Sequence, residues 1–201
     1  MTFAAPITLT GRLVRLSPLS PDDHDGLVDA TRDGQLWNLH YTRVPPPETM
    51  SEEIDWRLAQ QQAGTMLPFT TRRLDVDRVI GMTTFCNIDA ANRRVEIGYT
   101  WNAASAQRTG TNTESKLLLL EYAFDRLDCV AVEFRTHWFN RQSQAAIERI
   151  GAKRDGVLRN HVIMPDGTLR DTVVYSIIRS EWPAVANHLR QLLSRHAPDV
   201  F

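Results

Sequence analysis

The stretch from Val95 to Leu127 holds the side chains best suited to catalysis. An alternating segment carries Glu96, a polar loop follows with Gln107, Arg108, Thr109, Gly110, Thr111 and Asn112, and an apolar run begins near Thr113. A loop between a strand and a helix start can aim several backbone N–H groups and the positive end of the helix at one point, and phosphate suits such a point. Gly110 is also an ordinary way to make a turn, so the loop taken alone leaves both readings open. Two phosphate motifs are excluded. Gly110 to Lys116 has the outline of a P-loop, but the second Gly before Lys116 is missing and Leu117 stands where Ser or Thr must hold magnesium; no Gly-x-Gly-x-x-Gly occurs. Nucleoside triphosphates and dinucleotides are thereby disfavoured.

Glu96 and several further positions could take part. Alternation with Val95, Ile97 and Tyr99 predicts that Glu96 shares a strand face with Gly98 and Thr100. Glu96 is then either a general base or half of an exposed ion pair with Arg93 or Arg94. Ser143 follows the good helix cap Asn140 by three residues, so it is either a first-turn residue or, on the stripe of Ala146, Ile147 and Ile150, a hydroxyl turned toward the sheet. Arg159 and His161 are predicted to share one strand face, and His161 is assigned to the substrate side. Trp37, Trp56 and Trp138 either pack at the core or rim or line an acceptor pocket, where Trp37 and Trp138 are placed. The six histidines show no metal-ligand spacing, so no metal is expected.

Period and breakers give the elements that carry these residues. Arg12 to Leu19 alternates as a strand, and Ser20 with Pro21, Asp22 and Asp23 starts a helix running to about Arg32. A second helix is predicted from Glu48 to Gln62, after the loop bent by Pro45, Pro46 and Pro47. Leu67–Leu74, Val79–Ile88 and Arg93–Trp101 read as a meander of three strands. Leu117, Leu120, Phe124 and Leu127 give a largely buried helix from Thr113. Then come a strand Val130–Trp138, a helix Asn140–Ile150 stopped by Gly151, and a strand Ala152–Met164. Pro165, Asp166 and Gly167 turn the chain into Arg170–Ile178, and Ser180 is expected to cap a last helix. Strand-helix-strand in the middle implies parallel neighbours and the hairpins antiparallel ones, so the sheet is mixed.

With 201 residues and 42% hydrophobic content, one domain, residues 10 to 195, accounts for the chain. Lys plus Arg (23) balance Asp plus Glu (24), so charge argues for neither a nucleic-acid nor a membrane partner. Cys86 and Cys129 each sit in an apolar run, which fits free thiols in a reducing compartment. With no secretory signal and no run of ~20 apolar residues, a cytoplasmic protein is expected.

In these motifs the chain resembles a known family. The GNAT acetyltransferases combine this order of elements with a Gln/Arg-x-x-Gly-x-Gly/Ala loop before a long helix, here Gln107, Gly110 and Asn112. Asn140, Arg141, Gln142, Ser143 and Gly151 resemble the Asn-x-x-Ser...Gly pattern of the RimJ/RimL-like branch of ribosomal-protein N-terminal acetyltransferases, and Val95 to Tyr99 resemble its fourth strand. The resemblance runs from about Thr10 to Leu193. It implies a single-domain α/β (α+β) fold with a mostly antiparallel, seven-stranded sheet whose central parallel strands splay to hold acetyl-coenzyme A. It implies contacts to that co-substrate from Tyr99, Trp101, Gln107, Arg108, Thr109, Gly110, Thr111, Asn112, Thr113, Asn140 and Ser143, with the pyrophosphate at residues 107 to 113. Asn112 departs from the pattern, and its side chain either donates a hydrogen bond or crowds the ligand. Glu96 is implied as the base and Ser143 as the partner of the thioester sulfur, with a backbone N–H near Tyr99 holding the oxyanion. The implied reaction is direct acetylation of a primary amine, on a small molecule or a protein N-terminus, by a monomer or homodimer. A coenzyme A-binding module without turnover, a transferase of another acyl group such as succinyl, and an interaction protein on a reused fold are the alternatives.

Overall fold

Ser20 ends the first long strand and starts the first helix by a reciprocal cap. Its hydroxyl accepts from the N–H of Asp22 at 3.2 Å while the Asp23 carboxylate accepts from the N–H of Ser20 at 3.0 Å, with Pro21 next in line. The computed structural model describes residues 3–39 and 41–195. The strands are β1 (Leu9–Thr10), β2 (Val14–Pro18), β3 (Leu67–Arg73), β4 (Arg78–Asp89), β5 (Arg94–Asn102), β6 (Ala131–His137), β7 (Lys153–Ile163) and β8 (Leu169–Ile178). The helices are α1 (His24–Arg32), α2 (Met50–Gln62), α3 (Thr111–Glu121), α4 (Arg141–Arg149) and α5 (Trp182–Ser194).

One sheet of eight strands runs β1-β2-β3-β4-β5-β6-β8-β7, antiparallel except for β5 beside β6. The expected seven strands become eight because two residues, Leu9 and Thr10, pair with Leu16 and Arg15 at the edge. Two further expectations are corrected. Helix α3 starts at Thr111, two residues early, and continues as a π-turn from Tyr122 to Arg126. Ser180 does not cap α5, whose N-cap is Glu181 without a side-chain hydrogen bond, because Arg179 to Glu181 form the preceding turn.

Alternation along the strands divides the core into two layers. Val95, Ile97, Val132, Phe134, Val173 and Ile177 pack with Leu119, Leu120, Phe124 and Leu189 of the α3 and α5 region. On the other side, Val79, Ile80 and Met82 pack with Leu27, Val28, Met50 and Ile54 of α1 and α2. Cys86 and Cys129 are free and buried, and no described helix is long and apolar enough to cross a membrane.

Candidate active site

Parallel pairing between β5 and β6 covers Arg94–Ala131, Val95–Val132 and Glu96–Glu133 and stops there, although β5 continues to Asn102 and β6 to His137. Beyond that point β5 is held by β4 and β6 by β8, so a wedge opens at Glu96. A ligand belongs at such a gap between the carboxyl ends of adjacent strands.

A bulge redirects β5 just past the start of the wedge. Gly98 pairs with Thr84 and Trp101 with Met82, leaving Tyr99 and Thr100 opposite Thr83 alone, with φ of 48° at Tyr99. A bulge frees a strand backbone group from the ladder and reverses which face each later residue takes. Strict alternation puts Thr100 with Glu96. Instead Tyr99 joins the face of Glu96, its ring 5.5 Å from Trp56 and 5.4 Å below the Arg57 guanidinium. Thr100 turns to α3, where its hydroxyl accepts from Lys116 Nζ at 2.9 Å and lies 2.8 Å from Thr83 Oγ1. Burial pushes the Lys116 ammonium down to about 7. Trp101 crosses into the α1–α2 layer, where its indole N–H is buried without an acceptor among the described residues, so its side chain belongs to the core.

The polar loop lies between β5 and α3. Thr109 and Thr111 hydroxyls both donate to the Ala106 carbonyl, at 2.6 and 3.0 Å, which draws residues 106 to 111 into a tight turn. Arg108 and Gly110 have φ of 62° and 87°, and Gly110 is the N-cap of α3. The first N–H groups of a helix have no intrahelical acceptor, so those of Thr111, Asn112 and Thr113 are available to an anion, with exposed Arg108 beside them. Asn112 lies half-buried in this first turn. Across the wedge, Gln142 Nε2 of α4 donates to Gln107 Oε1 at 3.1 Å and Arg149 Nη1 donates to Thr113 Oγ1 at 3.2 Å. These bonds tie α4 to the loop over the opening.

Glu96 is 7% exposed. Asn87 Nδ2 donates to its Oε2 at 2.7 Å and Arg135 Nε lies 3.4 Å away; Arg93 and Arg94, the expected partners, pair instead with Asp128 and Glu133. Burial raises its carboxyl above the ordinary range, and Asn87 and Arg135 pull it part of the way back. A cavity of about 210 Å³ lies on this face, lined by Asn87, Glu96, Glu133 and Arg135 among others. A raised carboxyl opening on a cavity suits a proton acceptor better than a surface ion pair.

Asn140 caps α4 through its side-chain oxygen, which accepts from the N–H of Ser143 at 3.0 Å. The Ser143 hydroxyl is half-buried and takes up no hydrogen bond among the described residues. Trp138 is clasped by two guanidinium groups, Arg141 at 4.6 Å and Arg154 at 5.1 Å from its ring, which makes it a packing surface on the β7 side. Trp37 is half-buried in the short turn Leu36–Asn38. His161 is exposed and lies 3.1 Å from Thr172 Oγ1, whereas Arg159 pairs with Asp171 at 2.5 Å. The two do not share a face, because a register shift between Leu158 and Val162, with φ of 49° at Asn160, leaves Arg159, Asn160 and His161 opposite Asp171 alone.

Arg57, Asn87 and Arg135 belong to the site without any sequence motif to single them out. Arg57 is fully buried and donates to Glu53, to Thr84 and to the Tyr99 carbonyl. Its spacing of four from Glu53 and the Glu133–Arg135 alternation are visible in the chain, but nothing local sets them beside Glu96.

Residues 13–153 match the family described as "Acetyltransferase (GNAT) domain". YdaF of Bacillus subtilis (strain 168), named as a ribosomal N-acetyltransferase, is 29% identical over 170 residues, covering 82% of this chain and 90% of its own. Among solved structures, a GCN5-related N-acetyltransferase from Brucella melitensis is similar with a TM-score of 0.84 at 30% identity, covering 98% of this chain and 89% of the other. Mycobacterium smegmatis RimJ, in complex with CoA-disulfide, has a TM-score of 0.78 at 22% identity, covering 93% and 95%, a likeness of fold alone.

Proposed function

The chain belongs to the GNAT acetyltransferase family, and from this we propose that it acetylates a primary amine, on a small molecule or a protein N-terminus, with acetyl-coenzyme A as donor. The observation that carries this reading is the convergence at one wedge of three features: a helix N-terminus, a strand bulge and a buried carboxyl.

The donor set fits a coenzyme A pyrophosphate. Backbone N–H groups of residues 108 to 113 and the α3 dipole would hold it, with Gln107 and Gln142 at the rim. RimJ, of the same fold, carries a coenzyme A derivative, which supports that assignment. The thioester supplies an activated acyl group, and the chain's own residues do the rest. A backbone N–H freed by the Tyr99–Thr100 bulge would face the thioester carbonyl oxygen. Glu96 would take the amine proton, through water, and Ser143 would donate its free hydroxyl to the leaving sulfur. An α-amine near ~8 is partly neutral at neutral pH while a lysine near ~10.4 is not, so a single carboxylate base suits an α-amine or a similarly acidic amine.

Acetyl-coenzyme A in large excess is expected to raise the melting midpoint, whereas ATP and NAD leave it unmoved. Gly110→Val should abolish most of that shift, since φ of 87° disfavours a side chain and a branched Cβ would stand between the N–H groups and the phosphates. Calorimetry should then report binding weaker by about tenfold or more, the size expected for one lost charge-assisted contact. An equal response to ATP, or undiminished binding by the variant, would overturn the phosphate assignment.

A further inference from the structure

Past Glu96 strand β5 has lost its neighbour on one side, because pairing with β6 stops there, and the Tyr99–Thr100 bulge interrupts the ladder to β4 on the other. A bulged residue is left unpaired, so the ladder alone does not fix the orientation of its peptide. Side chains take over from both faces of the sheet. From α2, fully buried Arg57 donates through Nη1 and Nη2 to the Tyr99 carbonyl at 3.3 and 3.4 Å. From α3, Lys116 Nζ donates to Thr100 Oγ1 at 2.9 Å and to Thr83 Oγ1 at 3.4 Å, and the two hydroxyls lie 2.8 Å apart. Thr100 Oγ1 in turn donates to the Gly98 carbonyl at 3.4 Å, so this network spans the bulge from the residue before it to its far end.

Lys116 is buried, and no carboxylate among the described residues pairs with it. A donor count decides its state. An ammonium brings three N–H groups to a place with two acceptors among the described residues, whereas a neutral amine brings two and leaves none over. Burial brings the ammonium down to about 7, which puts the neutral form within reach near neutral pH. Resting on the acetyltransferase reading above, we propose that Lys116 is a positioning residue for acyl transfer, whose uncharged amine holds Thr100 and thereby fixes the bulge N–H that faces the thioester oxygen. Lys116 stands about one turn beyond Thr113, on the helix whose start is assigned to the pyrophosphate, so one rigid element sets the spacing from phosphate to thioester. An oxyanion donor works only when it is already aimed at the place where charge develops.

Thiol release from acetyl-coenzyme A, measured on Lys116→Met, Thr100→Val, Thr100→Ser and the double variant Lys116→Met with Thr100→Val, tests this. Lys116→Met is expected to lower kcat by about tenfold or more, the scale on which a small misplacement of a reacting group acts. Its dissociation constant for coenzyme A, read by calorimetry, should stay at the wild-type value. Its melting midpoint should be no lower than wild type, because Met fills similar space, the two threonines keep their mutual bond and no buried amine is left over. Thr100→Val cuts the same link and should slow turnover to a similar degree, whereas Thr100→Ser keeps the hydroxyl and most of the rate. A role in packing alone gives the reverse order, since Val keeps the bulk that Ser loses. The double variant should be about as slow as the slower single one, because a link already cut is not cut again. Should Thr100→Val fail to fold, Lys116→Met and Thr100→Ser decide between them. The proposal is overturned if Lys116→Met leaves kcat unchanged, if its kcat falls only in step with coenzyme A affinity, if Thr100→Ser is as slow as Lys116→Met, or if the losses multiply in the double variant. Any of these, with normal wild-type turnover, leaves the acetyltransferase reading intact. A wild-type protein that neither binds nor turns over acetyl-coenzyme A overturns both.

Discussion

Glu96→Gln lowers turnover of an α-amine by about a hundredfold at mildly acidic pH, the typical worth of one general base, and the deficit shrinks as pH climbs toward the amine's own value near ~8. Below the raised value of Glu96 the wild-type base is itself protonated, so the two profiles converge again; the gap is widest between the carboxyl and the amine. Stability moves the other way. A carboxyl raised by burial binds its proton more tightly folded than unfolded, so its ionisation costs stability as pH rises from the ordinary range through the raised one. At neutral pH Gln is therefore expected to melt no lower than wild type, and it keeps an oxygen for the Asn87 amide. Ser143→Ala provides the contrast. Its hydroxyl has no internal partner among the described residues, so the fold should be indifferent, while turnover falls across the whole pH range because the leaving sulfur needs a donor whatever the state of the amine. Steady-state rates from acid to mildly alkaline pH, with melting curves on the same preparations, decide the matter. Flat, near-wild-type profiles in both variants would remove both residues from the mechanism.

Glu114→Ala is expected to cost about 3 kcal/mol or more, because it strands several backbone donors at once. The carboxylate, 5% exposed in the first turn of α3, accepts from the N–H of Arg12 at 2.9 Å, of Leu13 at 2.6 Å and of Val14 at 2.8 Å. Val14 is fully buried, so its N–H has no route to water once the carboxylate is gone. Gly11 is part of the same device, since a Cβ there would lie 2.4 Å from the Glu114 carboxyl carbon. The bond set fastens the start of α3 to the start of β2. It also holds on β2 an acidic side chain that would otherwise compete for the helix N-terminus, which leaves the first-turn N–H groups to an incoming anion. Glu114→Gln should fall between, keeping one acceptor oxygen but turning an NH₂ toward a donor. Denaturant titration measures both. A loss below about 1 kcal/mol for Ala would mean that water enters and replaces the carboxylate.

Local pattern carried much of this protein. Order and type of the long elements, the Ser20 cap, the stop at Gly151, the hairpin at Pro165 to Gly167 and the strand-loop-helix around Gly110 were all legible, because period, caps and turn residues act within a few positions of themselves. Short motifs in a fixed order also pointed to Glu96 and Ser143 as companions of a phosphate loop.

Long-range contacts settled the places where a neighbour overrides the period. Alternation sends Thr100 to Glu96's face, yet the bulge opposite Thr83 sends Tyr99 there instead and moves Trp101 into the other layer. A second bulge parts His161 from Arg159. Both depend on register with a partner strand, which the sequence of one strand does not contain. Glu114 meets β2 across about a hundred residues, and Arg57 and Arg135 reach the surroundings of Glu96 from a helix and a strand. Charge at a site is a sum over elements, and no spacing along the chain encodes it; the wedge after Glu96 exists because β5 follows β4 while β6 follows β8.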